Sequence, residues 1–132
     1  MKRIFLILFC SFFFLCSKAQ WVSIPDTAFG RWLNNNYPTC MAWNSQIGFQ
    51  MDTSCNGILN AKQVDCSSSS IVNLEGIQYF KSDTFLNCSN NKLINIPEFP
   101  LLKYLSCENN QLTILPNLPV TLLQLICHHN QL

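Results

Sequence analysis

The sequence has little charge of either sign and no excess of basic side chains. Eight lysines and arginines stand against seven acidic residues, and charged residues make up only 11% of the 132-residue chain. A surface that binds nucleic acid or an anionic membrane relies on clustered positive charge. The composition therefore supports neither nucleic acid nor an anionic membrane surface as a partner.

The sequence also lacks an apolar run long enough to span a membrane. The apolar run over residues 4–15 has twelve residues, whereas a transmembrane helix needs about 20. It follows two basic residues and precedes the small residues Ser17 and Ala19. This arrangement predicts a cleaved secretory signal peptide over residues 1–20, hence export, with no membrane span after cleavage. Cleavage would leave five basic side chains against seven acidic ones.

Histidine is scarce, which limits the catalytic arrangements open to the chain. The only two, His128 and His129, follow Cys127, whose side chain should point away from that of its neighbour if this segment is a strand. A cysteine nucleophile needs its histidine within hydrogen-bond reach. The serine run over residues 67–70 has no histidine near it, and no phosphate-binding loop or paired-carboxylate pattern is present. We therefore predict that the chain is not an enzyme, with no catalytic residues and no cofactor.

What the sequence does contain is an internal repeat. Residues 86–93 read LNCSNNKL, residues 105–112 read LSCENNQL, and residues 125–132 read LICHHNQL. Leucine, cysteine, asparagine and leucine return at positions one, three, six and eight, and residues 64–71, VDCSSSSI, form a degenerate copy. The cysteines of the four copies are 22, 19 and 20 residues apart. Such periods are typical of chains built from stacked units.

This pattern resembles that of leucine-rich repeats, with cysteine at the third leucine position. The proline-containing segments between the copies resemble the return arms of short secreted bacterial repeats. The resemblance covers residues 61–132 and implies an α/β leucine-rich-repeat solenoid with a short-stranded parallel sheet on its concave face. Residues 1–20, 21–60 and 61–132 would then be the signal peptide, an amino-terminal cap and the repeats, the last of them truncated. Because no return arm follows residues 125–132, we expect a fragment of a longer secreted protein.

The alternation within each copy predicts which side chains face the core. Leu86 and Cys88 should point inward, and their neighbours should point outward. Phe85 and Tyr104 should lie side by side on the outer face, and paired exposed aromatic residues are typical of interaction hot spots. The first copy adds Gln63, Asp65 and Ser67 to that face. The residues predicted to bind a partner are Phe85, Asn87, Ser89, Tyr104, Ser106, Glu108, Gln124, Ile126 and His128.

Two further columns of the repeat are predicted to be structural. The asparagine column should pair with backbone groups that the turn after each strand would otherwise bury unpaired. The cysteine column should fill the core as small apolar side chains. The residues are Asn91, Asn110 and Asn130, and Cys88, Cys107 and Cys127.

Asp83 departs from the repeat. It aligns with Leu102 and Leu122, where the pattern requires an apolar residue. Either the register slips at this point or the carboxylate reaches solvent.

Eight cysteines in an exported chain would suggest a disulfide framework, but their positions favour a single bridge. Cys10 and Cys16 lie in the signal peptide. Cys66 and the cysteine column lie on adjacent predicted strands, where matching side chains fit neither a disulfide nor a tetrahedral zinc ion. Cys40 and Cys55 remain, and export favours a disulfide between them.

The segment before the repeats predicts a helical cap. Asp26 is a good helix start, Phe29, Trp32 and Leu33 share one helical face, and Pro38 ends the helix.

Residues 52–63, DTSCNGILNAKQ, superficially fit a calcium-binding loop. However, position 12 is Gln63 rather than glutamate, and Asp52 is the only carboxylate. A disulfide-tied turn is the favoured interpretation, so no metal site is predicted, although calcium binding stays open.

The resemblance and the outward array together imply a secreted or cell-surface module that binds a macromolecular partner. A protein partner is favoured and a glycan is the other candidate, whereas nucleic acid is not expected. The alternative function is that of a structural spacer, or an accessory domain of a longer secreted enzyme or adhesin.

Overall fold

The computed structural model describes residues 19–132, which form two β-sheets and two α-helices. All of the predicted signal peptide except Ala19 and Gln20, including Cys10 and Cys16, lies outside the described residues. Among the described residues, no helix is both long and apolar enough to cross a bilayer.

The amino-terminal part contains an antiparallel sheet of three short strands. These are β1 (Trp21–Ile24), β2 (Met41–Asn44) and β3 (Gly48–Asp52), arranged in the order β1-β3-β2. Gly48 begins β3 with φ +81°, a conformation that costs glycine little because it has no Cβ. Met51 lies opposite residues of both neighbouring strands and is fully buried, and Ile24 of β1 and Met41 of β2 are buried as well, so all three strands contribute to the core.

Helix α1 (Thr27–Asn36) follows β1 and joins the two parts of the chain. Asp26 caps it, because its Oδ1 accepts a hydrogen bond from the Phe29 amide at 2.9 Å. Its other oxygen accepts from the amides of Val72 and Asn73 at 2.6 and 2.8 Å. Phe29 and Leu33 are fully buried, so one aspartate both starts the helix and attaches it to the chain beyond residue 70.

The predicted disulfide between Cys40 and Cys55 is confirmed, with their Cα atoms 5.5 Å apart. It joins a 3-10 turn, Pro38–Cys40, to the residue that precedes helix α2 (Asn56–Leu59). A disulfide is compatible with an extracellular protein.

The second sheet is parallel and has four strands of three residues each in the order β4-β5-β6-β7. They are β4 (Gln63–Asp65), β5 (Phe85–Asn87), β6 (Tyr104–Ser106) and β7 (Gln124–Ile126). The central residues of the four strands lie at the same level, in one row of the core: Val64, Leu86, Leu105 and Leu125. The chain between these strands is irregular apart from a 3-10 turn at Ile77–Tyr79.

The predicted fold class, a leucine-rich-repeat solenoid with a helical amino-terminal cap, is wrong. The described chain is a small α/β fold in which a three-stranded antiparallel sheet accompanies the four-stranded parallel one, with only two helices. The helix predicted from Asp26 is present, but strands β1 to β3 make up much of the segment assigned to a helical cap. Unlike the strands of the parallel sheet, these three belong to no internal repeat that would mark them in the sequence, and β1 pairs with β3 across more than twenty intervening residues.

Candidate functional site

The outer face of the parallel sheet is organised around an aromatic pair, Phe85 and Tyr104. The two residues lie directly opposite each other on β5 and β6. Their ring centroids are 4.4 Å apart and the rings are within 5° of parallel. Both side chains are half-buried, so the stacked pair is partly packed against the sheet and partly exposed to solvent.

The aromatic pair has a glutamine on each side. Gln63 pairs with Phe85, and Gln124 pairs with Tyr104, so the four side chains form one row across the sheet. Each ring covers one face of the other, and the second face of each ring turns toward a glutamine strand. The ring edges are therefore the part of the pair that faces solvent, and an aromatic edge carries the partial positive charge of the ring.

The next row of the outer face begins with an acidic group held by hydrogen bonds. Asp65 Oδ1 accepts from the Ser67 amide at 3.0 Å and from its hydroxyl at 2.7 Å. Asp65 Oδ2 accepts from Asn87 Nδ2 at 3.1 Å. The carboxylate is exposed, and these bonds fix its position beside the aromatic row.

Two of the predicted partner-binding residues offer little surface. Ser89 and Ser106 are only 4% and 2% exposed. The Ser89 hydroxyl donates to Asn87 Oδ1 at 2.8 Å, and the Ser106 hydroxyl donates to the carboxylate of half-buried Glu108. These hydroxyls orient the polar side chains beside them, which are the groups that a partner would meet.

The predicted residues of β7 and the turn after it lie at one edge of this face. Gln124 and His128 are exposed, and Ile126 is half-buried. The Nδ1 atoms of His128 and His129 lie 2.7 Å apart. The structure therefore brings all nine predicted partner-binding residues to the same sheet and the turns that follow its strands.

The asparagine column connects each turn to the preceding one. Asn91 Nδ2 donates to the carbonyl oxygens of Cys66 and Cys88, each at 3.0 Å. Its Oδ1 accepts from the amides of Ser69 and Ile71 at 3.1 and 2.9 Å. These groups lie in a turn that the neighbouring chain covers, so one side chain satisfies donors and acceptors that water cannot reach.

Asn110 and Asn130 repeat this arrangement one and two strands further along. Asn110 Nδ2 donates to the Cys88 and Cys107 carbonyl oxygens at 3.0 and 3.1 Å, and its Oδ1 accepts from the Leu93 amide at 3.0 Å. Asn130 Oδ1 accepts from the Leu112 amide at 3.0 Å. The column holds the strand ends in register and thereby fixes the spacing of the outer face.

The residue just before each of these asparagines has a left-handed backbone. Asn90 and Asn109 both have φ +55°, and His129 has φ +53°. Asparagine tolerates this region better than most residues, which explains the Asn-Asn pairs in two of the three clear copies. The left-handed residue turns the chain away from the sheet after each strand.

Cys66, Cys88 and Cys107 lie in the core as free thiols, whereas Cys127, the last of the cysteine column, is a free thiol that is only half-buried. Cys88 is fully buried, and burial raises its thiol pKa well above the ordinary value. Burial likewise raises the pKa of the Cys66 and Cys107 thiols to about 12. A thiolate is the nucleophilic form of cysteine, so these three thiols are inert at neutral pH.

Neither of the two alternatives predicted for Asp83, a slipped register or a carboxylate that reaches solvent, is found. The register stays intact across it, since Phe85 pairs with Tyr104, and the residue is only 1% exposed. Its Oδ1 accepts from the Phe85 amide at 3.1 Å, while Oδ2 has no hydrogen-bond partner among residues 19–132. Burial raises the pKa of this carboxyl to about 7, so a titrating group is bonded to the backbone of the strand that carries Phe85.

The loop with a superficial resemblance to a calcium site uses its carboxylate for local structure. Asp52 Oδ1 accepts from the Gln20 amide and from the amide and hydroxyl of Ser54. The Ser54 hydroxyl is the main reason that the pKa of Asp52 is lowered. Within residues 19–132 no three histidine, cysteine or acidic side chains are grouped closely enough to hold a metal ion.

The comparisons with known proteins assign the chain to no family: no protein-family model matches it, and no curated protein matches it.

Proposed function

We propose that this protein is an exported binding module that holds a protein partner against the outer face of its parallel sheet, with Phe85 and Tyr104 as the anchor. The observation that carries the proposal is the stacked, half-buried aromatic pair in the middle of an exposed sheet face. Rigid aromatic side chains contribute much contact area at a small cost in conformational entropy, which is why they dominate interaction hot spots.

The geometry of the pair favours a polypeptide over a glycan. A sugar ring packs against the flat face of an aromatic ring, but here each ring covers one face of the other and the second faces turn toward Gln63 and Gln124. The exposed ring edges suit carbonyl oxygens and the faces of aromatic side chains. The flanking glutamine amides add donors and acceptors for a peptide backbone.

The charges of the face favour a partner with a basic side chain. Asp65 and Glu108 are acidic, and the twelve outward residues of the four strand units include no lysine or arginine. An arginine or lysine placed between the aromatic row and Asp65 would pair with a carboxylate that is already oriented by Ser67 and Asn87. We therefore propose a peptide segment that combines a bulky apolar or aromatic residue with a basic one.

A selection from a random peptide library displayed on phage tests this proposal without knowledge of the natural partner. Peptides that bind the wild-type protein should lose at least about tenfold in affinity when Phe85→Ala or Tyr104→Ala is tested, because a hot-spot side chain contributes about 2 kcal/mol or more. The matched control is Trp43→Ala, which removes a 62% exposed aromatic side chain from the antiparallel sheet. The control should leave the affinity unchanged.

A selection that yields no binder, or binders that tolerate both alanine variants, would contradict the proposal. Binding to a glycan array that depends on Phe85 and Tyr104, without any peptide binder, would show that the face is right and the partner class is wrong.

A further inference from the structure

A small cavity lies between helix α1 and the turn that follows β4. Its volume is about 370 Å³, and none of the nine predicted partner-binding residues lines it. Four residues that share one face of α1 form one wall, and two serines form the other: Ala28, Arg31, Trp32 and Asn35, and Ser69 and Ser70. The cavity is therefore separate from the aromatic pair and its sheet face.

Hydrogen bonds hold the two walls of the cavity together. Asp26 accepts from the Phe29 amide of α1 with one oxygen and from the Val72 amide, just beyond the serines, with the other. The Ser69 amide donates to Asn91 Oδ1 at 3.1 Å. The cavity is thus already formed in the protein alone, and a ligand would not have to order its walls on binding.

Arg31 is the only charged residue among those that line the cavity. Its Nε donates to the Thr27 carbonyl oxygen one turn earlier at 3.4 Å, and this bond does not use the two terminal nitrogens of the guanidinium. Those two nitrogens form a fork that fits both oxygens of a carboxylate. A single guanidinium without an acidic neighbour in the lining matches a ligand that carries one negative charge.

The other lining residues suit a hydroxylated ring. Trp32 is half-buried, and its ring stacks against that of Phe29 with centroids 6.1 Å apart, so it supplies a fixed apolar surface. Asn35 and Ser70 are exposed, and each supplies both a donor and an acceptor. Small-molecule sites have volumes of about 300–1,000 Å³, so this cavity suits one ring-sized unit better than a peptide segment.

We infer that this cavity binds one carboxylate-bearing sugar unit, a hexuronate, independently of the peptide-binding face. The carboxylate pairs with Arg31, the hydroxyls with Asn35 and Ser70, and the C–H groups of the ring contact Trp32. A neutral sugar would leave the guanidinium without its partner, and a simple anion would use Arg31 and none of the other groups. The ligand therefore needs the charge and the hydroxylated ring together.

The test titrates the isotope-labelled protein, expressed from the full-length sequence, with sodium glucuronate and sodium galacturonate while NMR spectra record the backbone amides. At least one of them should give saturable shifts on Arg31, Asn35 and Ser70, with a dissociation constant on the order of 1 mM for so small a ligand. Glucose and sodium acetate, titrated at the same ionic strength, should each bind at least about tenfold more weakly.

Two neighbouring asparagines of α1 provide a matched pair of variants. Asn35→Leu fills the cavity with an apolar side chain and should weaken uronate binding at least about tenfold. Asn34→Leu makes the same change at an exposed position that does not line the cavity, so it should leave the dissociation constant unchanged. Both changes suit a helix, because leucine favours helix formation more than asparagine does.

Arg31→Gln removes the charge and should also weaken uronate binding at least about tenfold, since a hydrogen bond to a charged group is among the stronger ones. Lys103→Gln, the same change of net charge at an exposed residue outside the cavity, should have no effect.

The absence of saturable shifts with both uronates up to about 20 mM, well above the expected dissociation constant, would overturn the inference. So would acetate or glucose that binds as tightly as the uronate, because a simple anion site or a neutral sugar site would then explain the data. Equal losses in the two asparagine variants would likewise place the ligand elsewhere and overturn it.

Discussion

The buried carboxyl of Asp83 gives the sharpest quantitative prediction. It stands in the column of Leu102 and Leu122, is 1% exposed, and has one oxygen without a hydrogen-bond partner among the described residues. Replacing it by leucine removes the only ionisable group in that column. In the leucine variant the Phe85 amide loses its bond to Asp83 Oδ1. Tyr104, the matching residue of the next strand, donates its amide to a backbone carbonyl oxygen of the preceding strand unit, that of Thr84. The Phe85 amide can use a backbone acceptor in the same way.

The magnitude follows from the pKa of the carboxyl. Burial raises it to about 7 in the folded protein from an ordinary value of 3.8. Between these two pH values the folded chain keeps a proton that the unfolded chain has lost, so the free energy of unfolding decreases as pH rises through this interval. At about 1.4 kcal/mol for each pH unit, the contribution amounts to roughly 4 kcal/mol between pH 4 and pH 7 and stays constant above pH 7.

Urea unfolding of the wild type and of Asp83→Leu at pH 4, 5.5, 7 and 8 measures this contribution. We expect the two proteins to differ least at pH 4 and the variant to gain about 3–4 kcal/mol relative to the wild type by pH 8. The neighbouring groups do not obscure the effect, because the pKa of the Tyr37 hydroxyl is raised from 10.0 and that of the Cys66 thiol is raised to about 12. Asp83→Asn, which keeps the side-chain size and removes the charge, should show the same relative gain.

A stability difference between wild type and Asp83→Leu that is the same at pH 4 and pH 8 would refute the reasoning. It would mean that Asp83 titrates near its ordinary pKa and is not isolated from water.

Two further predictions concern the polar column and the disulfide. Asn110→Ala should lower the free energy of unfolding by about 1–3 kcal/mol, because it leaves the buried Leu93 amide without its hydrogen-bond partner. Asn130→Ala, at the half-exposed end of the column, should cost less in the same urea titration, and an equal or larger cost would contradict the role assigned to burial. Replacing both Cys40 and Cys55 by alanine should lower the free energy of unfolding by about 3 kcal/mol, since the disulfide closes a loop with a sequence separation of 15 residues. A thermal unfolding midpoint equal to that of the wild type would contradict this expectation.

The parallel strands and the disulfide could be predicted because their signals are local or repeated. Four aligned copies place Leu86 and Leu105 at the same position of successive strands, and a shared position is what parallel pairing requires. Cys40 and Cys55 can be identified by elimination, since the remaining cysteines belong either to the predicted signal peptide or to the repeated core positions. The resemblance to leucine-rich repeats itself stays a prediction.

The features that could not be predicted depend on contacts between distant parts of the chain. Strand β3 pairs with β1 across more than twenty intervening residues, and neither strand belongs to the internal repeat that marks the parallel strands. Asp26 was recognised as a helix start, but its second oxygen binds the amide of Val72, 46 residues away. The repeat aligns Asp83 with the apolar positions of Leu102 and Leu122, but a slipped register or a carboxylate that reaches solvent would fit the same residues, so the sequence did not identify the buried carboxyl.

The central claim is that the outer face of the parallel sheet, with its aromatic pair, is the binding surface. The most direct test is a titration of the isotope-labelled protein with a selected peptide, followed by the chemical shifts of its backbone amides in NMR spectra. The account predicts that the largest shifts fall on Phe85, Asn87 and Tyr104. Shifts concentrated on the antiparallel sheet, around Trp43 and Phe49, or on the pocket that Val72 and Ile94 line on another side of the chain would contradict it.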